Sequence, residues 1–408
     1  MSTKIEHNEA VKRIAPIHTL TQEQQALVTQ ILYFCEQSAS TAEKRIFIIE
    51  GNAGTGKSLV MSSLFTQIQE RAKHLQDSQL FGTENYLLVN HPEMLKLYKN
   101  MAANTAVLLQ KNFTRPTTFI NQMRKKEHLA DITLVDEAHL LLTKKDRYNH
   151  FEQDNQLEEI IKASRIVILV FDPKQVLKGK SYWTPEKLAQ LTGQATVKTF
   201  KLTTQFRVQA AADVQGWLAA FVQRRIMVMP HKQRFDFRIM DDARKMYQLI
   251  QKHERTEGLS RLLATYDYPY RLDGKDYFIT AGNLKIRWDR SKPNTKLPWA
   301  ERRETLAEVG SVYTIQGFDL NYAGIILGPS VRYNQSKDCI ALDPARYEDQ
   351  AAFNGLKQLA ASSEQLRQLK EQLMLNALNV LLTRARKGLY LFAADEKLRA
   401  RLLELSHA

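Results

Sequence analysis

Cysteine is nearly absent: Cys35 and Cys339 are the only two in 408 residues. Isolated and far apart, they offer neither a disulfide framework nor zinc-binding spacing, and they suit a reducing cytoplasm. Long apolar runs are missing as well. None exceeds Ile166–Phe171, far short of the roughly 20 residues that cross a bilayer, so no membrane partner is expected. The opening MSTKIEHNEA has no apolar segment of the secretory kind, which points to a cytoplasmic protein. The chain shows no internal repeat and no low-complexity tail. Acidic residues are in deficit, 44 against 58 Lys and Arg, leaving a net charge of +14. Such an excess favours a polyanionic partner, nucleic acid first and an anionic membrane second, although basic proteins without either are common.

What is present is ordinary for a globular chain, 44% hydrophobic and 25% charged, and the length predicts two or three domains. The first half alternates short apolar runs with amphipathic stretches. Ile46–Ile49, Tyr86–Val89, Ile132–Val135 and Ile166–Phe171 read as strands, Leu59–Leu75 and Leu157–Ala163 as helices. Buried strands separated by helices imply βαβ units and a parallel sheet covered on both faces. From about residue 197 the alternation restarts, with TVKTFKL, SVYTIQG, AGIILG and GLYLFAA as strands of a second α/β layer. Between about 225 and 305 the chain is rich in Lys, Arg, Tyr and Trp, has little period, and reads as an insertion. Leu356, Leu359, Leu366, Leu369 and Leu373 share one helical face, read as core packing. Tyr266, Tyr268 and Tyr270 alternate with period two, as one face of a strand does.

The chemistry begins at GNAGTGKS, directly after Ile46–Ile49. It fits the loop that cradles nucleotide phosphates between a strand and a helix. Gly51, Gly54 and Gly56 let the backbone approach, and its N–H groups, those of Asn52, Ala53 and Thr55 included, point inward. Lys57 supplies a charge at the β- and γ-phosphates, and Ser58 an oxygen for magnesium. ITLVDEAH then places Asp136 and Glu137 at the C-terminal end of a strand, where parallel sheets bind ligands. Asp136 suits magnesium; Glu137 suits the general base that polarises water. A second carboxylate argues against a small-molecule kinase. FDPKQ puts Asp172 and Gln175 at another strand end, where Gln175 either contacts the γ-phosphate and attacking water or belongs to a plain turn.

The ordered set LTQEQ, GNAGTGKS, VDEAH, FDPKQ, TTQFR, YTIQGFD and LLTRAR resembles superfamily 1 helicases, and most closely the Schlafen group 3-like DNA/RNA helicase domain family of bacterial P-loop ATPases. EVGSVYTIQGFDLNYAGIILGPS and NVLLTRARKGLYLF look like that family's C-terminal signature, and the resemblance runs from about Leu20 to Asp395. It implies an α/β chain of two RecA-like P-loop NTPase domains with parallel sheets, residues 1–196 and 197–408, the second carrying the mixed basic and aromatic insertion at about 225–305. It also implies ATP and Mg2+ in the cleft between them. Gln24 would read the adenine edge, Gln205 and Arg207 would come from the second domain with Arg207 at the γ-phosphate, and Arg384 would be a second arginine finger. Gly317 and Asp319 would lie near the sugar and the nucleic acid, Asp319 standing where the family usually has Glu. Phe171 stands where many relatives have Gly.

Nucleic-acid contacts are expected at Asn90 and His91 in NYLLVNHPEML, at Thr314, and at Arg224 and Arg225. His91 alternatively caps the helix that follows. Arg224, Arg225, Lys232, Arg234 and Arg238, interleaved with Phe235 and Phe237, are either phosphate contacts with stacking rings or a solvated face over a small core. The reading is a monomeric ATP hydrolase that moves on single-stranded DNA or RNA, a helicase or translocase, with a nuclease or defence complex as a further partner. One alternative is a nucleic-acid-stimulated ATPase switch that does not unwind. Another is a non-catalytic binding module, against which Lys57, Asp136, Glu137, Arg207 and Arg384 argue.

Overall fold

Apolar runs buried on both faces set the positions of the strands. The computed structural model describes residues 14–15, 20–41, 43–51, 55–147, 150–193, 195–202, 212–230, 235–271, 273–289, 295 and 297–407. Two compact units divide the chain, Met1–Val176 with Lys180–Gln205 and Leu177–Gly179 with Phe206–Ala408.

The first unit runs α1 (Gln22–Ser38), β1 (Arg45–Gly51), α2 (Lys57–His74), β2 (Asn85–Val89), α3 (Pro92–Ala103), β3 (Phe113–Thr114), α4 (Pro116–Lys126), β4 (Ala130–Asp136), α5 (Gln156–Lys162), β5 (Ser164–Phe171), α6 (Pro185–Thr192) and β6 (Thr196–Leu202). Its six strands lie in the order β3-β2-β4-β5-β1-β6, all parallel. Caps start the helices where the sequence turns. Thr21 and Gln24 form a reciprocal capping box on α1, and Pro opens α3, α4 and α6 at the first turn, where its missing N–H costs nothing. The four strands expected in this half are β1, β2, β4 and β5. TVKTFKL, expected to open the second layer, is β6 and joins the first sheet, pairing with β1 from Arg45↔Thr196 to Gly51↔Leu202. The 196/197 division therefore falls at the start of a first-sheet strand. The reason is burial: six of the seven β6 residues are exposed or half-exposed, so this edge strand lacks the apolar run that marks its neighbours.

The second unit continues with α7 (Ala212–Val222), β7 (Asp236–Ile239), α8 (Ala243–Glu257), β8 (Ser260–Ala264), β9 (Tyr277–Ala281), β10 (Leu284–Trp288), β11 (Glu308–Gly310), α9 (Val312–Ile315), β12 (Leu320–Leu327), β13 (Val331–Asn334), β14 (Cys339–Leu342), α10 (Ser363–Leu382), β15 (Ala385–Ala393) and α11 (Glu396–His407). Seven strands follow the order β7-β15-β12-β8-β11-β10-β9. All neighbours are parallel except β9 and β10, whose hairpin makes the sheet mixed. The stretch 225–305 is woven into this sheet: β8 sits between β12 and β11, and α8 packs on the same core. Its period was hidden because α8 buries only Ala243, Met246 and Ile250, a narrow stripe inside a charged helix. SVYTIQG is the short helix α9, capped by Ser311 and Thr314, rather than a strand. Tyr266, Tyr268 and Tyr270 follow β8 in irregular chain. Tyr266 and Tyr268 meet Trp288 at 5.4 and 5.9 Å, Tyr270 meets Tyr277 at 5.7 Å. The leucine stripe is split, since α10 starts only at Ser363; Leu356 and Leu373 are buried and Leu359 is exposed.

Where β8 and β12 end, Asp267 ties the chain together. Its Oδ2 accepts from Thr265 Oγ1 at 2.8 Å and Ser330 N at 3.1 Å, and Thr265 Oγ1 accepts from Gly328 N at 2.8 Å. Burial outweighs these bonds and pushes the carboxyl from 3.8 up to about 6. The folded chain thus holds this proton more tightly than the unfolded chain, so the contribution is full below pH 3.8 and is lost as pH rises through about 6. Asp267→Asn should remove that titration. Between pH 4 and pH 7 the stability difference, wild type minus variant, should fall by about 2 kcal/mol in chemical denaturation. A difference that stays constant across the window would contradict the assignment.

Candidate nucleotide site

β1 ends at Gly51 and α2 starts at Lys57. Of the loop between them, Asn52, Ala53 and Gly54 lie outside the described residues. Gly56 caps α2 in the left-handed region at φ 76°, and a Cβ there would meet Gln24 Nε2 at 2.3 Å. The dihedral favours glycine, and any side chain would also have to displace the Gln24 amide. Gln24 Nε2 donates to Thr55 O at 3.2 Å while its Oε1 accepts from Thr21 N at 3.1 Å. The amide expected to read an adenine edge thus links the cap of α1 to the loop.

Lys57 Nζ donates to Gly51 O at 2.7 Å and lies 3.6 Å from Asp172 Oδ2, both side chains buried. Gln175 Nε2 donates to the same Asp172 oxygen at 2.6 Å, and Lys174 N to Asp172 Oδ1 at 3.1 Å. FDPKQ is therefore a tight turn, and it also sets a carboxylate against the loop lysine.

β4 delivers Asp136 to the same sheet edge, with β5 between it and β1. Its Oδ2 accepts from Ser58 Oγ at 3.2 Å and from Tyr98 OH at 2.6 Å, its Oδ1 from Glu137 N at 2.9 Å. Burial first, then the neighbouring Glu137 charge, pushes the Asp136 carboxyl up to about 6, against the pull of Tyr98 and Lys57. Glu137 itself is left-handed at φ 54°, and its Oε2 lies 2.9 Å from Nε2 of the fully buried His139. A hard cation suits this donor set, because a serine hydroxyl and an over-concentrated negative charge meet at Ser58 and Asp136. Among the described residues no group of three or more His, Cys, Asp or Glu could hold a metal by itself. Mg2+ is accommodated in that way, through one or two carboxylates plus water and substrate phosphates.

The other expected residues are distributed as follows. Asn90 Nδ2 donates to Leu140 O at 2.7 Å, and His91 is buried, its Nδ1 capping α3 at Met94 N. The capping alternative for His91 is thus the arrangement found. In the second unit Thr314 forms the α9 capping box with Ser311, Gly317 is left-handed at φ 84°, and Asp319 is half-buried two residues on. Arg384 is fully buried, its Nε donating to Val380 O at 2.8 Å and its terminal nitrogen to Phe318 O at 3.4 Å. These two bonds join the end of α10 to the chain after Gly317. Arg224 pairs with Glu371 at 2.6 Å, whereas Arg225 is exposed and bonds Gln223 at 2.9 Å. Phe235 is core, and Phe237 packs edge-on against Trp217 at 4.9 Å, so these rings are not a stacking ladder. Gln205, Arg207, Lys232 and Arg234 lie outside the described residues.

Three contacts escaped the sequence: Lys57 with Asp172, Glu137 with His139, and Asp136 with Tyr98. His139 sits inside the quoted DEAH, but a buried ring beside a left-handed residue is invisible without the backbone. Tyr98 looks like any aromatic on a core face.

The family described as Schlafen group 3, DNA/RNA helicase domain, matches residues 44–395. An uncharacterized protein of Saccharomyces cerevisiae is 40% identical over 432 residues, covering 98% of this chain and 93% of its own. Among solved structures, the Pif1 helicase from Candida albicans is similar at 11% identity over 96% of this chain and 100% of its own, with a TM-score of 0.38. AMPPCP-bound DnaA from Aquifex aeolicus is similar at 14% identity over 49% of this chain and 54% of its own, with a TM-score of 0.27.

Arg384→Ala tests the structural role assigned to that residue. It leaves two buried carbonyls without their donor, each a loss of about 1–3 kcal/mol. The variant should unfold at markedly lower denaturant or temperature. A folded Arg384→Ala protein of wild-type stability would contradict this structural role.

Proposed function

We infer the function of this chain from two facts: it belongs to the Schlafen group 3 DNA/RNA helicase domain family, and Lys57, Ser58, Asp136 and Glu137 meet at one edge of a parallel sheet. The chain is an ATP- and Mg2+-dependent motor on single-stranded nucleic acid. The observation that carries this reading is the Ser58–Asp136 contact at 3.2 Å, which brings the hydroxyl after the phosphate-loop lysine to the carboxylate before the candidate base.

Each residue has a defined task. Lys57 exchanges part of its contact with Gly51 O and Asp172 for the β- and γ-phosphates. Ser58 and Asp136 would hold Mg2+, which would neutralise phosphate charge. Glu137, oriented by His139, takes a proton from the water that attacks the γ-phosphorus; the bond to the bridging oxygen breaks, giving ADP and phosphate. The +14 charge supports a polyanionic track. Arg207 is assigned to stabilise the charge that develops on the transferring phosphoryl group, on the strength of its place in TTQFR.

The deciding experiment is ATP hydrolysis with and without single-stranded DNA and RNA, at several magnesium concentrations. Hydrolysis should need Mg2+, rise with at least one of the two polymers, and vanish in Lys57→Ala. Glu137→Gln should keep nucleotide affinity and lose about 10²–10⁴ in turnover. Equal rates in wild type and Lys57→Ala would place the activity elsewhere. Arg207→Ala should lower turnover by about 10³ or more while changing nucleotide affinity much less. A parallel loss of affinity and turnover would deny it a role specific to the transition state.

A further inference from the structure

Tyr98 is fully buried in the middle of α3, its ring stacked on Phe113 at 6.0 Å and 18°. Packing explains the ring but not its hydroxyl, which burial penalises unless it is bonded. That hydroxyl donates to Asp136 Oδ2 at 2.6 Å and lies 3.4 Å from Ser58 O. One phenol thus touches both residues that would hold the cation.

We propose that Tyr98 is a positioning residue for magnesium-bound nucleotide, fixing the Asp136 carboxylate so that it faces Ser58. The inference rests on the nucleotide-site reading above. Asp136 is held at both oxygens, Oδ1 by Glu137 N and Oδ2 by Ser58 and Tyr98. Of the two hydroxyls on Oδ2, Ser58 is itself a ligand whose oxygen turns toward the metal. Tyr98 is the donor that stays in place whether the metal is present or not. The same helix reaches the base from its other end. Just before α3, Asn90 Nδ2 holds Leu140 O at 2.7 Å, the last residue of the short turn Ala138–Leu140 that carries His139. His139 in turn lies 2.9 Å from Glu137. Residues 90–98 therefore contact Asp136 directly and reach Glu137 only by way of Leu140 and His139.

The test measures binding of a fluorescent, non-hydrolysed ATP analogue to the full chain as a function of Mg2+. Tyr98→Phe keeps the ring and removes only the hydroxyl. Half-saturating Mg2+ should rise about 10- to 100-fold, the range for loss of a partner behind a metal ligand, while metal-free affinity stays at the wild-type value. In an Asp136→Asn background, Tyr98→Phe should add no further change. An unaltered Mg2+ dependence overturns the proposal. So does an equal loss with and without Mg2+, which would make Tyr98 a packing residue only, and so does full additivity with Asp136→Asn. Wild-type protein that fails to bind the analogue would instead remove the nucleotide-site reading, and wild-type binding without any response to Mg2+ would remove its magnesium site, each taking this inference with it.

Discussion

Two adjacent carboxylates, Asp136 and Glu137, are buried at the end of one strand, and the first unit is arranged around that constraint. Buried charge is tolerated only where it is paired or hydrogen-bonded. Each oxygen of Asp136 is met by a donor from a different part of the chain: α2 through Ser58, α3 through Tyr98, and the backbone of Glu137. Glu137 adopts a left-handed backbone and meets a histidine two residues on. The strand order completes the scheme. Because β5 lies between β1 and β4, Asp172 sits beside Lys57, and the loop lysine is neutralised by a carboxylate other than the candidate metal ligand. Burial first, and then the Glu137 charge beside it, raises the Asp136 carboxyl despite these donors.

The sequence made the first sheet legible where burial was complete. β1, β2, β4 and β5 are short apolar runs because helices cover both faces, and their ends carry the phosphate loop, the acidic pair and FDPKQ. β6 was misplaced because an edge strand has no such run. In the second unit, the stripe of α8 drowned in surface charge, and a capping box disguised as alternating apolar residues hid α9. Apolar period reports one-sided or two-sided burial and little else, so elements that bury only a line of atoms leave no clear trace.

The site was legible where chemistry demands a residue type at a backbone position, as at Gly56 and Lys57. It was not legible where a side chain can serve either the ligand or the protein. Arginine shows this most plainly. Arg384 lies in LLTRAR, and two of its five donors meet backbone carbonyls of its own unit. Arg261 is buried in the same manner, bonded to Ser260 O, Arg302 O and Thr305 Oγ1 at 2.8 to 3.0 Å. The same holds for His91, where a helix N-terminus claimed the ring.

β1 has no partner that is near it in sequence. Arg45 pairs with Ile166 on one side and Thr196 on the other. On a ribosome, the strand that leads into the phosphate loop is made early and must wait for both neighbours to emerge. Until then four consecutive apolar residues, Ile46–Ile49, have no sheet to enter, and they are the kind of segment that chaperones or other nascent chains capture. Loop closure over such separations also slows folding. The strand before the loop is therefore completed late in the synthesis of the first unit, and truncation between β5 and β6 leaves it open along one edge.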